Sequence, residues 1–109
     1  MTDESHDPRV IDNPERHRFE AHLDGAVAGF SDYQREATQL SLLHVEVDDR
    51  FEGQGIGSLL ARRSLDAARE DGLSVLPHCP FVRCYIERHP ENLDLVAQED
   101  RERFGLSTG

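Results

Sequence analysis

Gly53, Gly55 and Gly57 stand at alternate positions at the head of a helix-like run, in the stretch RFEGQGIGSLLARRSLDAAREDG from Arg50 to Gly72. A glycine inside a helix costs about 1 kcal/mol relative to alanine, so these three belong to a turn that leads into one. Ahead of them, TQLSLLHVEVDD alternates as a strand does. The chain is thereby committed to a unit of strand, glycine turn and helix. Such a turn lets the backbone approach a ligand closely, and the helix behind it offers unpaired N–H groups at the positive end of its dipole. That combination suits phosphate. The competing reading is a helix start packed tightly against a sheet. A P-loop is excluded, because Gly57-Ser58 has no lysine before the serine, and a dinucleotide turn is excluded, because the spacing is G-x-G-x-G.

The helix is expected from about Gly55 to Asp71, with Ile56, Leu59, Leu60, Leu65, Ala67 and Ala68 at helical spacing and Gly72 as its C-terminal cap. Upstream, Phe19, Ala21 and Leu23 alternate before Asp24-Gly25, a hairpin signal, so a second strand should run from Ala26 to about Gln34. A turn near Glu36-Ala37 leads to the third strand. Strict alternation there puts Leu40, Leu42, His44 and Glu46 on one face and Ser41, Leu43, Val45 and Val47 on the other. LSVLP reads as a short buried strand ended by Pro77. Pro80 opens a second helix, PFVRCYIERH, which Pro90 ends. A last short helix is expected in the tail, with Leu93, Leu95 and Val96 inward. Residues 1–15 read as a flexible arm and residues 16–109 as one domain. The fold class is α/β: three antiparallel strands, then a helix crossover to a parallel strand, with helices packed on a mixed sheet.

Charge narrows the partners. Twenty-two acidic residues face twelve basic ones, all arginine, for a net charge of −10. A nucleic-acid partner and an anionic membrane are both expected to be absent, since each needs a positive surface. The surface suits a salt-rich cytoplasm, although arginine-preferring codons explain the lack of lysine equally well. No run of about 18 apolar residues exists, and the first residues lack the pattern of a signal peptide, so a cytoplasmic location with free thiols is expected.

Two cysteines remain. Cys79 falls beside the N-terminus of the second helix, where a thiol gains thiolate character, or else serves as a small buried hydrophobe, the common fate of a free cysteine; Cys84 falls mid-helix and reads as packing. His78, Cys79, Cys84 and His89 lie close in sequence, but their spacing matches no usual zinc pattern, so no metal is expected.

The stretch EGQGIGSLL after a strand ending HVEV resembles the acetyl-CoA-binding motif of the GNAT superfamily of N-acetyltransferases, Arg/Gln-x-x-Gly-x-Gly/Ala. Glu52 replaces the usual first residue, so backbone amides are expected to bind while its side chain points away. LPHCPFVRCYIERHPE sharpens the likeness to a branch of very small GNAT-like proteins with Cys-Pro-Phe-Val and His-Pro-Glu signatures, trimmed of the first helices. The resemblance implies acetyl-CoA as cosubstrate, its pyrophosphate at Gly53, Gln54, Gly55, Ile56, Gly57 and Ser58. It also implies a gap between the strands before and after the first helix, where backbone groups of Val45 and Val47 pair with the pantetheine amides; Tyr85 and His89, one helical turn apart, either line that channel or pack the core.

Within that frame the catalytic candidates are Cys79, His44 and Glu46. Cys79 protonates the departing thiolate after direct attack by an amine, or accepts the acetyl group itself. His44 deprotonates it if the two come within reach, and Glu46 is a base acting through a water. The acceptor is a small-molecule or peptide amine, and the protein a monomer or weak homodimer. A non-catalytic acyl-CoA-binding module would keep the glycine turn without needing Cys79 or His44. An interaction domain without ligand is the third reading, favoured by Glu52.

Overall fold

Asp24 and Gly25 both take positive φ, 54° and 80°, as a tight turn matched to the twist of its strands requires. In the computed structural model, which describes residues 8–106, they join β2 (Arg18–Leu23) to β3 (Ala26–Arg35). The chain turns again where the Glu36 N–H donates to the Gln39 carbonyl at 2.8 Å, entering β4 (Gln39–Val47). A 3-10 turn, Asp49–Phe51, and the glycine turn lead into α1 (Ile56–Glu70). The crossover returns to β5 (Ser74–Pro77), parallel to β4. Then follow α2 (Pro80–Arg88), a 3-10 segment, Pro90–Leu95, and α3 (Gln98–Arg101). The expected mixed α/β sheet is present. No helix among the described residues is long and apolar enough to cross a membrane.

A further strand corrects the expected arm. Residues 1–7 lie outside the described residues, but β1 (Arg9–Asn13) pairs antiparallel with β2 and makes a five-stranded sheet in the order β1-β2-β3-β4-β5. Its apolar content is only Val10, packed on the core, and Ile11, 50 % exposed on the other face. Polar anchors hold it instead. The Tyr33 hydroxyl donates to Asp12 Oδ1 at 2.5 Å, and Asn13 donates to Glu20 at 3.2 Å.

α1 and α2 pack side by side on one face of the sheet. Phe19, Ala21, Leu42, Leu60, Val75 and Ile86 belong to the single core cluster formed there. α1 is fastened by a buried polar pair as well, the Ser64 hydroxyl donating to the Leu60 carbonyl and lying 3.2 Å from that of Ser31 on β3.

β4 departs from strict alternation. Tyr33 pairs with Leu42 but Asp32 pairs with His44, which leaves Leu43 as an extra residue, a β-bulge. One extra residue reverses the phase of every side chain after it. Leu40 and Leu42 are buried under the helices, Val45 and Val47 pack against the same core, and His44 and Glu46 are exposed on the opposite face. The expectation that Leu40, Leu42, His44 and Glu46 share one face is therefore corrected.

Tyr33 carries a pH signature. Burial first, then its bond to Asp12, push the phenol up from 10.0 to about 12. A raised folded-state value means that the contribution is complete below the unfolded value and is lost as pH rises from 10.0 towards about 12. Tyr33→Phe should lower stability by about 1 kcal/mol at neutral pH and remove that part of the alkaline loss. Urea unfolding of both proteins across the alkaline range checks it; equal alkaline slopes would assign the loss to another group.

Candidate functional site

The three glycines of the turn serve different ends. Gly53 and Gly55 take φ of 84° and 76°, conformations that side chains rarely adopt, and a Cβ on either would meet nothing within 4 Å. Their backbone faces open space. Gly57 has ordinary φ, but a Cβ there would come within 2.8 Å of the Phe81 ring, which α2 lays over the first turn of α1. A fourth glycine, unremarked in the sequence, matters as much. A Cβ on Gly29 of β3 would stand 2.6 Å from the Glu46 carbonyl and 3.2 Å from side-chain carbons of Ile56 and Leu60. Its bareness lets α1 sit directly on β3 and β4.

Gly55 is the N-cap of α1 and offers no side-chain cap, and the first turn holds no acidic residue. The amides of Ile56, Gly57 and Ser58 are thus left for something outside the helix, at the positive end of a 15-residue dipole. Glu52 and Gln54 are exposed.

Beside this turn the sheet forks. Pairing of β4 with β5 ends at Leu42 and Pro77, while β4 continues to Val47. The Cys79 N–H donates to the Leu42 carbonyl at 3.0 Å, closing the last rung. Beyond it, Asp48 donates to Ala28 on β3. Alternation along the strand therefore directs the N–H and C=O groups of Val45 and Val47 to the side that β5 has left.

Cys79 stands at the fork as the N-cap of the nine-residue α2, 3 % exposed within the core cluster. His44 lies on the other face, its Nε2 3.1 Å from Glu46 Oε1, with both side chains more than half exposed. The direct thiol–imidazole bond allowed by the sequence is not formed; the bulge turns His44 away from the helix layer and gives it to Glu46. The Phe30 ring lies 6.2 Å from that of His44, and Arg18 covers Phe30 at 4.5 Å. Arg18 first, then His22 and Asn13, hold the Glu20 carboxyl on this face below its ordinary value, against the opposing effect of burial.

Tyr85 is half-buried and stacked on His89, with ring centroids 4.2 Å apart. Burial is the main cause pushing its phenol upward. It lines a depression of about 160 Å³ with Ser58, Phe81, Cys84, Arg88 and His89. Cys84 is exposed there, which corrects its reading as packing. The buried stripe of α2 passes through Val82 and Ile86, and a residue midway between them points the opposite way. Sequence reasoning missed Gly29 and Phe81; the first stands in a strand that a glycine ordinarily weakens, which was the available signal.

Residues 18–95 match the family model described as GCN5-related N-acetyl-transferase. Protein NATD1 of Xenopus tropicalis is 30% identical over 91 residues, covering 81% of this chain and 83% of that protein. Protein NATD1 of Mus musculus is 29% identical over 86 residues, covering 75% and 76%. Among solved structures, Ard1 from Thermoplasma volcanium is 31% identical with a TM-score of 0.49, covering 54% of this chain and 41% of that one.

Two substitutions separate the roles of the glycines. Gly29→Ala forces a methyl group onto a backbone carbonyl and should cost about 1–3 kcal/mol, as overpacking does. Gly57→Ala meets only the Phe81 ring, 43 % exposed and free to swing outward, and should cost less. Urea midpoints of the two variants compare them directly; an equal or greater cost at Gly57 would show that Phe81 is held in place.

Proposed function

The chain belongs to the GCN5-related N-acetyltransferase family, and on that premise we propose that it transfers acetyl from acetyl-CoA to a small-molecule or peptide amine. The observation that carries the proposal is the forked sheet beside an uncapped helix end, with open space where side chains on Gly53 and Gly55 would stand and no side-chain cap on the first amides of α1. The pyrophosphate binds those amides. The pantetheine arm enters the fork and pairs with the free backbone groups of Val45 and Val47 as an added strand would. The thioester then lies at the closed end of the fork, beside Cys79.

The amine approaches from the face bearing His44 and Glu46. Its nitrogen attacks the thioester carbon, the C–S bond breaks, and the electron pair leaves with the CoA sulfur. His44, oriented by Glu46, takes the proton that the amine loses. Cys79, at the N-terminus of α2, gives its proton to the departing thiolate and is restored from solvent. Assigning acid and base to opposite faces of the sheet replaces the direct Cys79–His44 pair.

Gly55→Val puts a β-branched residue at φ 76° and should abolish acetyl-CoA binding by calorimetry while the fold survives by circular dichroism. Unchanged affinity would place acetyl-CoA elsewhere. Cys79→Ala should leave acetyl-CoA affinity nearly intact and reduce turnover by about 10²–10⁴-fold, the range of a lost general acid, with Cys84→Ala as a mild control. Because Cys79 is buried, Cys79→Ser, which keeps the volume, separates lost chemistry from lost packing. Normal turnover in Cys79→Ala would sink the general-acid role. Binding of acetyl-CoA without transfer to any amine by the wild type would leave the acyl-CoA-binding module as the better description.

A further inference from the structure

The sheet face turned away from α1 and α2 carries a polar order that stability does not require. Cross-strand partners share a face, and the register sets two rows of side chains there. Asn13, Arg18, Asp32 and His44 follow one another from β1 to β4 in the first row, and Ile11, Glu20, Phe30 and Glu46 in the second. Glu20 is only 7 % exposed. Arg18 Nε donates to its carboxylate at 2.8 Å, Asn13 donates at 3.2 Å, and His22 Nε2 lies 3.0 Å away. Burying a charge costs desolvation, and an apolar side chain of similar volume in its place is often neutral or stabilising. The cluster therefore needs a reason other than stability.

The rows supply one. Asp32 stands directly between Arg18 and His44, yet neither pairs with it among the described residues. Glu20 takes Arg18, and Glu46 takes His44. Held by Glu20, the guanidinium lies over the Phe30 ring, its carbon 4.5 Å from the centroid. The Phe30 ring meets that of His44 at a centroid distance of 6.2 Å and an angle of 58°, within the range of aromatic pairs. Contacts thus run without a break from Glu20 through Arg18 and Phe30 to His44. The His44 side chain is 56 % exposed, so nothing on its solvent side stops the ring from turning.

We propose that Glu20, Arg18 and Phe30 are positioning residues: they hold the His44 imidazole in the orientation that donates Nε2–H to Glu46 and leaves Nδ1 as the nitrogen that takes a proton. The proposal rests on the acetyl-transfer reading above, in which His44 is the base. A neutral imidazole carries its proton on one nitrogen and accepts at the other, and a carboxylate 3.1 Å from Nε2 draws the proton there. Without the Phe30 ring beside it, the imidazole rotates and the two nitrogens exchange roles. Without Arg18 the Phe30 ring loses its cover, and the effect on His44 is the same but weaker.

Heavy-nitrogen NMR of histidine-labelled protein at about pH 8, where an ordinary imidazole is neutral, reads the His44 tautomer directly; His44→Gln identifies its signals. The wild type should show a protonated Nε2 and a bare Nδ1. Phe30→Leu should give an average of both tautomers, Arg18→Gln should move part of the way, and Phe30→Tyr, which keeps the ring, should match the wild type. Ile11→Ala, at the β1 end of the same row, is the structural control and should change the urea midpoint alone. In transfer from acetyl-CoA to phenethylamine or glycylglycine, Phe30→Leu should lower kcat by about 10–100-fold, as misplacement of a catalytic group does, with KM for acetyl-CoA nearly unchanged. Unchanged ring signals in Phe30→Leu, or changed signals with wild-type turnover, overturn the proposal. Absence of transfer by the wild type, with the ring signals responding as expected, tells against the acetyl-transfer reading alone and upholds the positioning of His44.

Discussion

The extra residue at Leu43 decides which side chains of β4 face the helices and which stand on the outer face. Without it, the alternation of β4 would drive His44 and Glu46 into the layer of Leu60 and Val82, where an imidazole and a carboxylate would need partners that the helices do not offer. With it, both side chains stand on the outer face and pair with each other at 3.1 Å. Val45 and Val47 inherit the inward positions and keep the core closed. The same irregularity bends the strand where β5 stops following it. Pro77, the last residue of β5, has no N–H to extend the ladder, and Cys79 makes the final contact with Leu42. Bulge and proline together open the fork, so the gap between β4 and β5 and the exposed His44–Glu46 pair have one origin.

Seating α1 is the second requirement. The bare Cα of Gly29 and the Ser31–Ser64 pair let the helix lie close on β3, fixing the direction in which its free amides point. Gly53 and Gly55 then shape the approach without a side chain in the way. These features lie on three elements, β3, the turn and α1, yet each constrains the same few amides. A backbone site held in this manner needs no side chain that must be ordered on binding, which lowers its entropic cost.

The strands, both principal helices and the turn at Asp24-Gly25 were legible because hydrophobic period, proline and glycine agree there. β1 was not. Its one inward apolar side chain, Val10, makes no periodic signal, and its anchors are long-range bonds from Tyr33 and Glu20 that no local pattern reveals. The bulge was hidden for a different reason: LSLLHVEV alternates acceptably in either phase, so only pairing with Asp32 and Tyr33 shows which leucine is the extra one. What the sequence misread near the turn is therefore the phase of the β4 side chains, His44 and Glu46 standing on the face away from Leu40 and Leu42. The glycines and the Val45–Val47 edge follow from spacing and family resemblance, whereas the mutual placement of Cys79 and His44 depends on a phase that the sequence leaves open.

Net charge of −10 argues against polyanionic partners, yet coenzyme A, the proposed ligand, is itself an anion to which the same argument applies. The two differ in extent. Charges interact strongly only within about 8–10 Å at ordinary ionic strength, so a compact ligand senses the groups around its phosphates and little of the remaining surface. Around the start of α1 those groups are unpaired amides, with no carboxylate from Gly53 to Leu65 and the exposed Glu52 just ahead of the turn. A nucleic acid would have to lie along a surface many Debye lengths long, and most of that surface is acidic. Local depletion of acid at a helix start can therefore coexist with strong acidity elsewhere, and the proposed binding of a compact phosphorylated ligand is consistent with a net charge that disfavours extended ones.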